Sequence, residues 1–213
     1  IVKPKWNKAD MMQTCKIHAA LGFVDSEMKR NFILNKAHTQ FVPLYVLKLH
    51  ELSLVFHEMI GDKLPDVDLF EDSPANKVNI CEVTAGKKVV LFAVPGAFTP
   101  GCSKTHLPGY VQSADKLKSE GVSEILCVSV NDPYVMAAWG AQHNTKGKVR
   151  MLADPNGNFV KALDLGVNLP PLGGLRSKRF SMVINNSTVE ELNVEPDGTG
   201  LSCSLADKIK LKN

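Results

Sequence analysis

KVVLFAVPGAFTPGCSKTHLPGYVQSADKLK, residues 88–118, carries the decisive pattern of this chain. Its first seven residues form a continuous apolar run with β-branched side chains, which predicts a central strand buried on both faces. The run stops at Pro95 and Gly96. Beyond the loop, Val111, Ala114 and Leu117 recur at helical spacing with polar residues between them, and Gly121 follows as a cap. This order places Cys102 in or beside the first helical turn, where unpaired backbone N–H groups and the positive end of the helix dipole favour an anion. The thiolate is the nucleophilic form of cysteine, and such a position favours it. Two prolines and two glycines among residues 95–102 fix the turn and aim backbone N–H groups at one spot, with the Thr99 hydroxyl three residues before the cysteine.

Working outward, ILCVSV (residues 125–130) predicts the next buried strand, and residues 135–144 a second helix containing Met136, Ala137, Trp139 and Gly140. VRMLAD (149–154) is a short strand ending at the turn PNGN, and residues 159–165 make one or two helical turns. GVNLPPLGGL (166–175) is a Pro- and Gly-rich loop. RFSMVI (179–184) and TVEELNV (188–194) pair antiparallel through a tight turn at Asn185 and Asn186. A last short helix is expected to begin near residues 202–204, where serines are good N-caps. Strand and helix in this alternation, closed by a hairpin and a helix, predict an α/β thioredoxin-like fold, a central mixed β-sheet flanked by helices.

The 213 residues suffice for one ordinary domain, and 44% hydrophobic with 22% charged residues is ordinary globular composition. Lys and Arg outnumber Asp and Glu by 8 to 5 in residues 1–58 and balance at 17 each in residues 59–213. The larger part therefore has no basic excess for nucleic acid. Residues 1–58 read as an N-terminal extension, residues 59–213 as the domain. The apolar stretch 41–56 is broken by Lys48, His50 and Glu51, which suits a packed helix and is too short for a membrane span. Arg30 is the only arginine of the extension, which weakens a mitochondrial targeting role. Five cysteines at wide spacing point to a reducing compartment, and without C-x-x-C or H-E-x-x-H no metal or other cofactor is expected.

PGAFTPGCSKTHLPGY (residues 95–110) resembles the active-site segment of peroxiredoxins, and its GCSKTHLPG continuation resembles their type five, atypical two-cysteine branch. VSVND (128–132), Trp139–Gly140, LADPNGNF (152–159), KRFSMV (178–183) and NVEPDGTGLSCSLA (193–206) resemble the same branch in the same order, over roughly residues 60–210. The resemblance implies a thioredoxin-dependent peroxidase for hydrogen peroxide and alkyl hydroperoxides, a monomer or weak homodimer of cytoplasm or mitochondrion. The C-terminal LKN is not the S-K-L peroxisomal address. The resemblance makes Cys102 peroxidatic, with Thr99, Pro95 and Gly101 shaping its pocket and Arg179 holding thiolate and peroxide. It makes Cys203 the resolving thiol that condenses with the Cys102 sulfenic acid. From the residues alone, Arg179 in RSKR reads as a solvated surface charge, His106 as a helix-surface or packing residue, and Cys127 as an inert buried thiol. Cys15 and Cys81 carry no role. The segment 166–175 is a few residues shorter than the branch leads us to expect.

Two other classes stand beside this reading. A cysteine hydrolase needs a histidine base, for which His106 or His143 is available, whereas a phosphatase loop needs an arginine where Pro108 stands. A thioredoxin-like binding module needs no reaction at all. Neither alternative consumes peroxide in a way that depends on Cys102.

Overall fold

The computed structural model describes residues 59–211. The expected extension, its helix over residues 41–56, the targeting role, Cys15 and the histidines at 18, 38, 50 and 57 lie outside the described residues. The first elements are two short strands, β1 (Asp68–Glu71) and β2 (Lys77–Asn79), and one helix, α1 (Ile80–Thr84). β3 (Lys88–Val94) leads through the loop into a π-helical turn (Cys102–His106), and this continues directly as α2 (Leu107–Ser119). Then come β4 (Glu124–Ser129), α3 (Pro133–Gln142), β5 (Arg150–Ala153) and α4 (Asn158–Ala162). A small hairpin, β6 (Gly166–Leu169) with β7 (Gly174–Ser177), precedes β8 (Phe180–Asn185) and β9 (Thr188–Val194).

The main sheet runs β2-β1-β5-β4-β3-β8-β9. β3, β4 and β5 are parallel neighbours, while β1, β2, β8 and β9 join antiparallel. Side chains alternate across a strand, so β3 feeds two cores. Val89, Leu91 and Ala93 pack with Ile80, Phe159 and Val160 on one face. Val90, Phe92 and Val94 pack with Leu107, Tyr110, Ala114, Met136 and Trp139 on the other, the face that also holds Cys102 and Cys127. The thioredoxin-like arrangement expected from the alternation of elements is the one observed.

Several local expectations are corrected. α3 begins at Pro133 because Asp132 caps it, its carboxylate accepting from the Val135 N–H at 3.0 Å. The 166–175 segment is no plain loop: β6 and β7 pair across a 3-10 turn at Pro170–Leu172. The turn between β8 and β9 lies one residue later than expected, with Asn186 and Ser187 both at positive φ (48° and 62°), as a primed hairpin turn requires. The strand expected over residues 179–184 is shifted by one, leaving Arg179 just before β8. The last helix, expected to begin on the serines at 202–204, starts slightly later, as a 3-10 turn at Ala206–Lys208 with no side-chain cap.

Gly140 marks where α3 presses on β5. A Cβ there would lie 2.7 Å from Met151 Cγ and 2.8 Å from Thr145 Oγ1. Alanine gains about 1 kcal/mol in helix propensity, but overpacking costs about 1–3 kcal/mol, and two contacts this short put the cost ahead. We expect Gly140→Ala to lower stability in urea unfolding; a rise would mean that α3 has room to move away from Met151.

Candidate active site

The loop from β3 to α2 is held by side chains from the strand ends. Asn131 Oδ1 accepts from the Ala97 N–H at 3.0 Å and from Ser129 Oγ at 2.7 Å. Phe98 stands exposed at φ 62°, a left-handed conformation costly for an aromatic residue and typical of functional loops. Thr99 Oγ1 donates to the Gly96 carbonyl at 3.0 Å, and the Ser103 N–H donates to the Thr99 carbonyl at 2.9 Å. Pro95 is buried beneath this turn. The Trp139 indole N–H, reaching across from α3, donates to Ser103 Oγ at 3.0 Å.

Helical backbone runs unbroken from Cys102 to Ser119 even though Pro108 lies within it. Proline lacks an N–H and crowds the carbonyl four residues back. A π turn, closed here by the Leu107 N–H on the Cys102 carbonyl, relieves that conflict, and such turns concentrate at functional sites. It also turns His106 inward.

Cys102 is fully buried, and Arg179 Nη1 donates to its sulfur at 3.3 Å. Arg179 is 3% exposed, which overturns the surface reading taken from RSKR alone. Its Nε donates to the Thr199 carbonyl at 3.1 Å, and its own N–H to the Gly198 carbonyl at 2.7 Å. Among the described residues no carboxylate pairs with this guanidinium. A buried cation without a counter-charge is costly, so the nearest group able to become an anion, the Cys102 thiol, is electrostatically tied to it. Gly101 makes the approach possible: a Cβ there would lie 3.3 Å from Arg179 Nη2.

His106 is buried beside this pair, 3.2 Å from Arg179 Nη1 through Nδ1 and 3.0 Å from the Ser204 carbonyl through Nε2. Burial pushes its pKa down to about 4; the Ser204 carbonyl opposes that and the Arg179 charge adds to it. Tyr110 OH donates to the same carbonyl at 2.7 Å. With both ring nitrogens engaged, His106 is not a free base for a cysteine hydrolase. His143 makes an edge contact with the Trp139 ring and has no hydrogen bond to Cys102.

The Cys203 segment is clasped by Glu195, a residue the sequence reading passed over. Its Oε1 accepts from the N–H groups of Ser202, Cys203 and Ser204 at 2.8, 3.0 and 3.0 Å and from Ser204 Oγ at 2.7 Å; Oε2 accepts from Ser202 Oγ at 2.6 Å. Burial alone would raise this carboxyl, but the Ser202 and Ser204 bonds outweigh it and hold it at about 2. Those same N–H groups would have opened the expected helix. The Cys203 thiol donates to the Val194 carbonyl at 3.4 Å, and Cys102 and Cys203 are both free thiols. Burial, then the Glu195 charge, push the Cys203 thiol up to about 11. Cys127, wholly buried in β4, is pushed well up by burial.

Both flanking groups tie the fold to acid. His106 sits below its ordinary value, so the unfolded chain binds its proton first and stability is lost as pH falls from 6.5 towards about 4. Glu195, also lowered, stabilises above 4.5 and loses that contribution as pH falls through about 2. We expect urea midpoints to decline across both windows and Glu195→Gln to flatten the lower one. An unchanged decline in Glu195→Gln would show that the clasp adds nothing to the fold.

The Redoxin family matches residues 59–209. Peroxiredoxin-2D of Arabidopsis thaliana is 43% identical over 155 residues, covering 71% of this chain and 96% of the relative. The crystal structure of reduced Prx3 from Vibrio vulnificus in complex with hydrogen peroxide is 47% identical, with a TM-score of 0.66 over 70% of this chain and 94% of that one. Peroxiredoxin 5 from Alvinella pompejana is 43% identical, with a TM-score of 0.61 over 66% of this chain and 91% of that one. Identity at this level across the whole described fold, around a buried cysteine and its arginine, places the chain in the Redoxin family as a peroxiredoxin of the type five branch, a thiol-dependent peroxidase.

Proposed function

We propose that Cys102 is the peroxidatic cysteine, that Cys203 resolves it, and that a thioredoxin-type dithiol closes the cycle. The observation that carries this reading is the Arg179 Nη1 contact to Cys102 Sγ, 3.3 Å long and buried. Arg179 favours the thiolate and, through its remaining Nη2 donors, the charge that develops on the peroxide oxygens. Thr99 already donates its hydroxyl hydrogen to Gly96, so its lone pairs accept the O–H of a hydroperoxide. Pro95 and Gly101 shape the remaining wall.

In the first step the Cys102 thiolate attacks the terminal peroxide oxygen. The O–O bond breaks, sulfur is oxidised to a sulfenic acid, and the departing oxygen takes a proton to leave as water or an alcohol. In the second, the Cys203 sulfur attacks the sulfenic sulfur, water leaves, and an intramolecular disulfide remains. In the docked segment Cys203 is a protonated thiol turned to the Val194 carbonyl, so this step requires the 202–204 segment to come off Glu195. An external dithiol such as thioredoxin then supplies two electrons and two protons. Hydrogen peroxide and alkyl hydroperoxides are both substrates. All the groups lie in one chain, so a monomer suffices, in a reducing compartment such as cytoplasm or mitochondrion.

Peroxide consumption with a thioredoxin system, followed by intact mass under non-reducing conditions, tests the cycle. Cys102→Ser should be inactive. Cys203→Ser should turn over poorly and accumulate Cys102 oxidation. Equal turnover of Cys203→Ser and wild type would replace the two-cysteine cycle with a one-cysteine one, and equal turnover of Cys102→Ser would remove the peroxidatic assignment.

A further inference from the structure

We propose that His106 is a positioning residue for the peroxide chemistry, its Nδ1 holding the Arg179 guanidinium against the Cys102 sulfur while its Nε2 is anchored on the Ser204 carbonyl; this rests on the roles given above to Cys102 and Arg179. The proton inventory fixes the direction of every bond. A guanidinium only donates. Nη1 carries two hydrogens, one for Cys102 Sγ at 3.3 Å and one for His106 Nδ1 at 3.2 Å. Nδ1 is therefore the acceptor, the ring proton is on Nε2, and Nε2 donates to the Ser204 carbonyl at 3.0 Å.

The ring is locked in that orientation. Phe92 meets it edge-on at 5.1 Å between centroids and Tyr110 at 5.5 Å. Rotation about the guanidinium is opposed at its other end by the Nε bond to the Thr199 carbonyl. Together these hold Nη1 on the sulfur and leave Nη2 beside Gly101, where a peroxide oxygen approaches. The ring stays neutral at physiological pH; a proton on Nδ1 would set donor against donor and cation against cation. Positional errors of about 1 Å at a reacting centre cost up to roughly 10²-fold in rate, so the acceptor on Arg179 matters beyond its own bond energy.

Two amide variants separate this role from plain packing. His106→Asn places its carbonyl oxygen where Nδ1 was, keeping the acceptor for Arg179 and losing the Ser204 bond. His106→Gln places its amide nitrogen where Nε2 was, keeping the Ser204 bond and losing the acceptor. The readouts are the single-turnover rate of Cys102 with hydrogen peroxide and the far-ultraviolet thiolate absorbance at neutral pH. Both are scaled to the folded fraction from near-ultraviolet circular dichroism. We expect His106→Gln to slow Cys102 roughly tenfold or more and to lower the thiolate signal, with His106→Asn at least roughly threefold faster than His106→Gln, the rate equivalent of one net hydrogen bond. A His106→Gln protein that matches wild type in both readouts, or one faster than His106→Asn, would overturn the proposal. Arg179→Ala serves as the control: if it also reacts like wild type, the role of Arg179 itself is wrong, and if it is slow while His106→Gln is not, only the role of His106 is.

Discussion

The buried Arg179 guanidinium is the constraint around which the site is organised. Its charge has no carboxylate partner among the described residues, and its single contact able to become anionic is Cys102 Sγ at 3.3 Å. Taking a cation out of water is tolerable only if fixed partners replace the solvent. Here the replacements are the Thr199 carbonyl, the His106 ring and the cysteine sulfur. The protein thus stores an unmet electrostatic demand next to the Cys102 sulfur. Wrapping the pair in the core between the sheet and α2 keeps the local dielectric low, where such a demand is strongest.

The rest of the fold delivers the two partners to one point. β3 ends at the loop, the π turn carries Cys102 and His106 inward, and Arg179 comes just before β8, which lies antiparallel beside β3. β9 then returns the chain to Glu195, whose carboxylate gathers the N–H groups of residues 202–204. The Ser204 carbonyl at the end of that clasp accepts from His106 and Tyr110. A continuous hydrogen-bonded path therefore runs from the Cys102 sulfur through Arg179 and His106 to the segment bearing Cys203. Releasing that segment changes the partners of His106 as well as those of Glu195.

The sequence made some of this legible for clear physical reasons. The strands β3 and β4 are uninterrupted apolar runs because both of their faces are buried, and Cys102 is marked by the Pro- and Gly-rich turn before its helix. Arg179 was legible only through family resemblance, since nothing local in RSKR tells a buried guanidinium from a solvated one. His106 was read only as a surface or packing residue or a hydrolase base, and Glu195 was passed over, because their contacts are tertiary, to Arg179 and to the 202–204 segment. β1 and β2 are four and three residues long with mostly polar side chains, too short for a period to register. The late start of the last helix, at Ala206 rather than on the serines, is a case of local propensity losing to a carboxylate: serine caps were present, but Glu195 had already taken the N–H groups.

The most direct test of the central claim is the single-turnover rate of Cys102 with hydrogen peroxide in wild type, Arg179→Lys and Arg179→Ala. Trp139 can report it by fluorescence, because its indole is bonded to Ser103, the next residue after Cys102. We expect Arg179→Ala to lose roughly 10²-fold or more, the cost of removing a donor aimed at developing charge. Arg179→Lys should also be slow, since an ammonium lacks the planar fork needed to hold sulfur, imidazole and peroxide together. Rates for both variants equal to wild type would contradict the claim that the buried guanidinium activates this cysteine.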